Sequence, residues 1–124
     1  MKRALPLVAS VALLAACGSG SSGPAETLPA NADVVVNAVP TLRFDAAEYG
    51  PVKAGTVTIG YENKDSVRHT LIIAKDGVKV GTFKLAVGAK GSVDSGTANL
   101  DAGTYTLLCD VPGHSNMKAT LTVE

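Results

Sequence analysis

Four side chains carry atoms that bind soft or borderline metal ions: His69, Cys109, His114 and Met117. The chain has only two His, two Cys and two Met, and the remaining Cys17 and Met1 lie in the N-terminal segment. Three of the four fall in one stretch, Cys109-Asp110-Val111-Pro112-Gly113-His114-Ser115-Asn116-Met117. His69 opens an apolar run far upstream. A thiolate is soft and suits Cu(I), while imidazole suits both copper states. Two imidazoles, one thiolate and a weak thioether satisfy neither state fully, so little has to move when an electron arrives. The set predicts one copper ion, cycling between Cu(I) and Cu(II), in a mononuclear electron-transfer site.

Each residue has a plainer role when taken alone. A histidine at a strand start is ordinarily a satisfied core or surface residue. A methionine after a loop ordinarily fills core space, and a lone cysteine is often a buried, inert thiol. The order and spacing of all four together favour the metal site. Asp110 reads as a solvated loop carboxylate rather than a ligand of some other metal site. Arg68, adjacent to a ligand, reads as a solvated strand-end charge or, alternatively, one that biases the copper's potential or a docking partner. Thioether is a poor zinc ligand. Multicopper oxidation needs many more histidines than two, and a Cys–His hydrolase needs a third orienting group and a cleft. The chain is therefore expected not to be an enzyme. Copper delivery or storage is the alternative to electron transfer. A single Met beside a single thiolate favours retaining the ion.

Such donors need rigid elements behind them. Short runs of Val, Ile, Leu and Thr broken by Gly, Asp, Asn and Pro extend from Asp33 to Glu124. Strands are expected over Val34–Val39, Thr56–Asn63, His69–Ala74, Val78–Lys84, Lys90–Thr97, Thr104–Cys109 and Ala119–Val123. Val57, Ile59 and Tyr61 alternate onto one face, and Asp76-Gly77 marks a tight turn. Ala119–Val123 reads as an edge or return strand, and Asp45–Lys53 as a short helical turn or plain loop. The pattern predicts an all-β Greek-key sandwich of seven or eight strands. An immunoglobulin-type domain is disfavoured, since Cys109 has no partner in this segment and Trp is absent.

The stretch Tyr105 to Val123 resembles the C-terminal copper loop of cupredoxins. Its Cys-to-His gap of four residues is similar to azurin and rusticyanin, and its His-to-Met gap of two to amicyanin. Glu62 to Ile73 resembles the segment bearing that family's first histidine, and Phe44 to Gly55 the approach to it. The resemblance spans Leu42 to Val123. It implies a cupredoxin-like fold and a type 1 site of His69, Cys109, His114 and Met117. It also implies that the His114 edge reaches the surface, with Val111, Pro112 and Gly113 as an apolar docking patch. Many cupredoxins carry Asn after the first histidine. Here Thr70 stands next to the ligand, and its hydroxyl can tie one backbone group with fewer hydrogen bonds. The partner class implied is a membrane cytochrome, oxidase or reductase acting as donor or acceptor, with the chain a monomer.

The N-terminus reads as an export signal. Met1-Lys2-Arg3 is positive, and Ala4 to Ala16 is apolar but too short to span a bilayer. Leu14-Ala15-Ala16-Cys17 is similar to the lipobox of bacterial lipoproteins, which implies cleavage before Cys17 and lipid on its sulfur. Residues 1–16 are thus expected to be a signal peptide and 17–32 a lipidated Gly/Ser/Pro tether. The cupredoxin domain should then cover 33–124, anchored to a bacterial membrane and facing the periplasm or cell exterior. Without Lys2 and Arg3 the chain keeps nine basic and eleven acidic residues, with no basic run or pole. Nucleic-acid binding therefore has no electrostatic footprint in the sequence.

Overall fold

The computed structural model describes residues Thr27–Glu124. Ten strands run in chain order: β1 (Val34–Val39), β2 (Arg43–Phe44), β3 (Glu48–Val52), β4 (Gly55–Asn63), β5 (His69–Lys75), β6 (Val78–Lys79), β7 (Leu85–Val87), β8 (Val93–Leu100), β9 (Gly103–Leu108) and β10 (Lys118–Val123). One sheet has the order β2-β1-β4-β8. The other has the order β3-β10-β9-β5-β6, with β7 paired to β5. β1 pairs with β4 in parallel, and so does β3 with β10; the other pairings are antiparallel. Seven of the ten strands have five or more residues, in keeping with the expected Greek-key sandwich.

Alternation fills the space between the sheets. Val57, Ile59 and Tyr61 of β4 face Leu71 and Ile73 of β5, Leu107 of β9 and Leu121 of β10 within one core, and all seven are fully buried. With few aromatics, this aliphatic core supplies most of the drive to fold, and truncating one such Leu or Ile to Ala costs about 2–5 kcal/mol. The Asp76–Gly77 turn forms as expected, with both residues at positive φ (51° and 80°), which lets Val78 turn back onto β5.

Three expectations are corrected. Asp45–Lys53 is neither helical turn nor loop throughout, because Glu48–Val52 is strand β3. It lies along β10, the Ala47 carbonyl accepting from Thr120 N–H and the Val52 carbonyl from Glu124 N–H. As an edge strand it tolerates Pro51, which has no N–H to donate. β10 is consequently interior, between β3 and β9. The run Val78–Lys84 holds strand geometry only over Val78–Lys79. The chain then departs through Gly81 at positive φ and rejoins β5 as β7. The segment just before Asp33 also meets the sheet: the Leu28 side chain covers Gly60 so closely that a Cβ there would clash.

One end of the sandwich gathers the chemistry. Asn63 closes β4, His69 opens β5, Leu108 closes β9 opposite Lys118 of β10, and Val87 pairs with His69. The loops 64–68 and 109–117 therefore emerge side by side. Cys17 and the rest of the expected signal and anchor fall outside the described residues.

Candidate metal centre

Asn63 organises the first loop. It is fully buried, and its Nδ2 donates to the carbonyls of Val67 (2.8 Å) and Val87 (3.3 Å). Its Oδ1 accepts the Asp65 N–H at 2.8 Å. One amide thus fixes the loop that returns the chain to β5. Its next product is the placement of Asp65, whose Oδ1 takes the Ser66 N–H at 2.7 Å and whose Oδ2 lies 2.9 Å from His69 Nε2. The hydrogen bond from His69 holds the Asp65 carboxyl below the usual carboxylate range. An ionised carboxylate only accepts, so Nε2 of His69 is the donor, and in the neutral ring Nδ1 is the atom that offers a lone pair.

That lone pair has no partner. Nδ1 of His69 is the one buried side-chain nitrogen or oxygen without a hydrogen bond among the described residues. A buried polar atom left bare costs about 1–3 kcal/mol, so the arrangement suits a metal at Nδ1. Cys109 Sγ and His114 supply the other donors. Single ligand atoms of His69, Cys109 and His114 all lie within 4.8 Å of one another. His114 Nδ1 is 3.6 Å from Cys109 Sγ, and the two imidazole rings are 4.9 Å apart and tilted by 47°. Two borderline nitrogens and one soft sulfur fit a single copper ion.

The second loop is closed on itself. His114 N–H donates to the Val111 carbonyl at 2.9 Å and Met117 N–H to the His114 carbonyl at 3.0 Å, while Cys109 N–H reaches the Met117 carbonyl at 3.4 Å. Gly113 sits at φ +90°, a conformation that favours glycine, within this turn. Met117 is fully buried. Of the apolar residues expected to surround His114, Pro112 and Gly113 are exposed and Val111 is half-buried. Exposed Val67 from the neighbouring loop lies at the same end.

Thr70 joins the two loops. Its N–H donates toward Cys109 Sγ at 3.4 Å. Its hydroxyl donates to Asp110 Oδ1 at 2.5 Å and accepts the Asp110 N–H at 2.9 Å. The expected single backbone tie is present, and a side-chain tie is added. Asp110 is exposed as expected, but it is not merely solvated, because Lys84 Nζ lies 3.0 Å from its Oδ2. The hydrogen bond from Thr70, then the one from Lys84, holds its carboxyl below the usual range. Arg68 is an exposed residue next to His69.

Sequence reasoning found the donors but missed Asn63 and Asp65. A signal was available: Asn63-Lys64-Asp65-Ser66 is a run of residues that bond their own backbone, placed just before the first histidine.

Residues 31–124 match the family of copper binding proteins, plastocyanin/azurin family. Among solved structures, dithionite-reduced auracyanin from Roseiflexus castenholzii is similar, with TM-score 0.63 and 21% identity over 73% of this chain and 95% of that one. Auracyanin A, a "blue" copper protein from Chloroflexus aurantiacus, is 26% identical with TM-score 0.56, over 73% of this chain and 96% of that one. Amicyanin from Paracoccus versutus is 24% identical with TM-score 0.54, over 77% and 84%. No curated protein sequence matches the chain.

Proposed function

The chain belongs to the plastocyanin/azurin family of copper-binding proteins, and from that premise we propose that it is an extracytoplasmic one-electron carrier. The observation that carries the reading is the bare, buried Nδ1 of His69 beside Cys109 Sγ and His114 Nδ1. In this reading His69, Cys109 and His114 would be the strong ligands of one copper ion, with the buried Met117 as a weak fourth donor. Copper supplies a one-electron couple. The chain's own residues keep the site nearly the same in both states. Asp65 holds the His69 ring, Thr70 N–H supports the sulfur, and the short 109–117 loop restrains His114. Electrons pass at the His114 edge, through a dry patch of Val111, Pro112 and Gly113, to a membrane cytochrome, oxidase or reductase. Weak docking suits a carrier that must release its partner quickly.

Two features of the site separate a carrier from a copper-delivery protein. The donors sit on two chain segments, so release breaks bonds on both, and His69 is locked by a buried carboxylate. The reduced, copper-loaded protein is expected to hold Cu(I) against a chelator at neutral pH, loosen it only in acid, and exchange electrons rapidly with its oxidised form. Rapid copper loss at neutral pH with slow self-exchange makes delivery the better reading.

The location follows from Leu14-Ala15-Ala16-Cys17 and the Gly/Ser stretch behind it. We read residues 1–16 as a signal peptide and Cys17 as the lipid-bearing start of a tether leading to the copper domain, which acts as a monomer. Fractionation of cells expressing the wild type and Cys17→Ser should find only the wild type in the membrane. Identical soluble partitioning of the two excludes the anchor.

A further inference from the structure

No basic run exists in the sequence, yet the fold gathers five exposed basic side chains at one end. Lys64 and Arg68 flank the 64–68 loop, Lys90 lies in the turn between β7 and β8, Arg43 begins β2, and Lys118 begins β10. The strand registers bring these five dispersed positions to the end that holds His114: Asn63 lies opposite Ala38, Glu62 opposite Val93, and Leu108 opposite Lys118. All five are exposed. The ion pairs among the described residues are His69–Asp65 and Lys84–Asp110, so none of the five has a carboxylate within salt-bridge distance there.

Most carboxylates near this end are hydrogen-bonded within the fold. Asp65 is buried against His69. Asp110 is held by Thr70 and Lys84. Asp45 accepts from Asn37 and Tyr49, and Asp94 from the Ala86 and Ser95 N–H groups. Glu62, half-buried on the flank, and Glu48, exposed at the start of β3 opposite Thr120, are the remaining acids. The opposite end carries Asp33, Asp76, Asp101 and Glu124, with Lys53 and with Lys75 placed over the Tyr105 ring. Over the described residues acids slightly outnumber bases, and what distinguishes this end is that its exposed charges without an ion-pair partner are mostly cationic.

We infer that the copper end docks onto an acidic redox protein, with Lys64, Arg68, Lys90, Arg43 and Lys118 as a cationic rim around the apolar Val67, Val111, Pro112 and Gly113. A dry centre with a polar rim is the anatomy of a protein interface. A rim of one sign speeds encounter and sets orientation more than it adds lasting affinity, which suits a transient complex. The inference rests on the carrier reading above and names the chemistry of its partner.

The experiment measures electron transfer from the reduced, copper-loaded full chain to two one-electron oxidants of opposite charge. Ferricyanide is the anion and tris(phenanthroline)cobalt(III) the cation; each takes one electron as the protein's Cu(I) becomes Cu(II). From about 0.01 M to about 0.15 M salt the Debye length shrinks from about 30 Å to about 8 Å. The ferricyanide rate should then fall about tenfold, and the cobalt rate should rise. Lys64→Glu with Lys90→Glu should abolish the ferricyanide slope while leaving the optical spectrum intact. Lys53→Glu with Lys79→Glu makes the same change in net charge away from this end and should leave the slope in place. A ferricyanide rate that ignores salt, or two double variants that respond alike, overturns the inference. So does capture by anionic phosphatidylglycerol vesicles with no salt effect on either oxidant, which assigns the rim to a membrane. A chain that exchanges no electron with either oxidant refutes the carrier reading itself. Transfer with the wrong salt sign refutes only the acidic partner.

Discussion

Cys109→Ser is expected to remove the intense blue colour of the oxidised, copper-loaded protein and to weaken copper binding by orders of magnitude. The colour of a Cys-ligated Cu(II) site comes from charge transfer out of the thiolate, and an alcohol has no comparable donor orbital. Serine is also a hard, neutral oxygen at neutral pH, so the soft component that retains Cu(I) is lost. The fold should survive. Cys109 is a small, buried residue, and a hydroxyl can still accept the Thr70 N–H that points at the sulfur. Optical absorption of the copper-loaded variant beside circular dichroism of the copper-free one separates the two effects. A variant that stays as blue as the wild type removes Cys109 from the site.

Asn63→Ala should cost about 3–5 kcal/mol of stability, a large share of the roughly 5–15 kcal/mol that a small domain possesses. The substitution strands two carbonyls, Val67 and Val87, and one N–H, Asp65, in a place where the Asn63 side chain is fully buried. Each buried polar group left bare costs about 1–3 kcal/mol, partly recovered where loop or water can reach it. The loop it fixes also carries the Asp65 contact to His69. Copper affinity should therefore fall along with stability, and the blue band should broaden or shift. Denaturant unfolding of the copper-free protein measures the first effect and copper titration the second. A loss below about 1 kcal/mol, with copper binding unchanged, would show that Asn63 is not the organiser of this loop.

The donors were legible because their chemistry is scarce: few residues bind soft metal, and here they recur in an ordered stretch. The central strands were legible because burial imposes a period. Val57, Ile59 and Tyr61 face inward whatever pairs beside them. Strand β3 was hidden for the opposite reason. Glu48-Tyr49-Gly50-Pro51-Val52 looks like punctuation, and it is a strand only because β10, more than sixty residues later in the chain, offers it a parallel edge. Val78–Lys84 looked like a full strand because its composition says nothing about the departure at Gly81. Asp65 was hidden because a carboxylate in a polar loop reads as solvated until the fold places an imidazole over it. The basic end is legible nowhere in sequence, since its five charges run from Arg43 to Lys118 and meet only through the strand registers.

The two histidines are not equivalent, and the difference gives the site a door. His69 is fully buried and bonded through Nε2 to Asp65, so its ring cannot turn aside without breaking that bond. His114 is half-buried in a loop near the surface, and the hydrogen bonds among the described residues engage its ring only at Nδ1, toward Cys109. In the proposed copper site His114 would be the ligand freer to move, and an ion would enter and depart on that side. In the proposed function the same side receives the redox partner. A docked partner is then a lid: while the electron crosses, the metal that carries it is shut in.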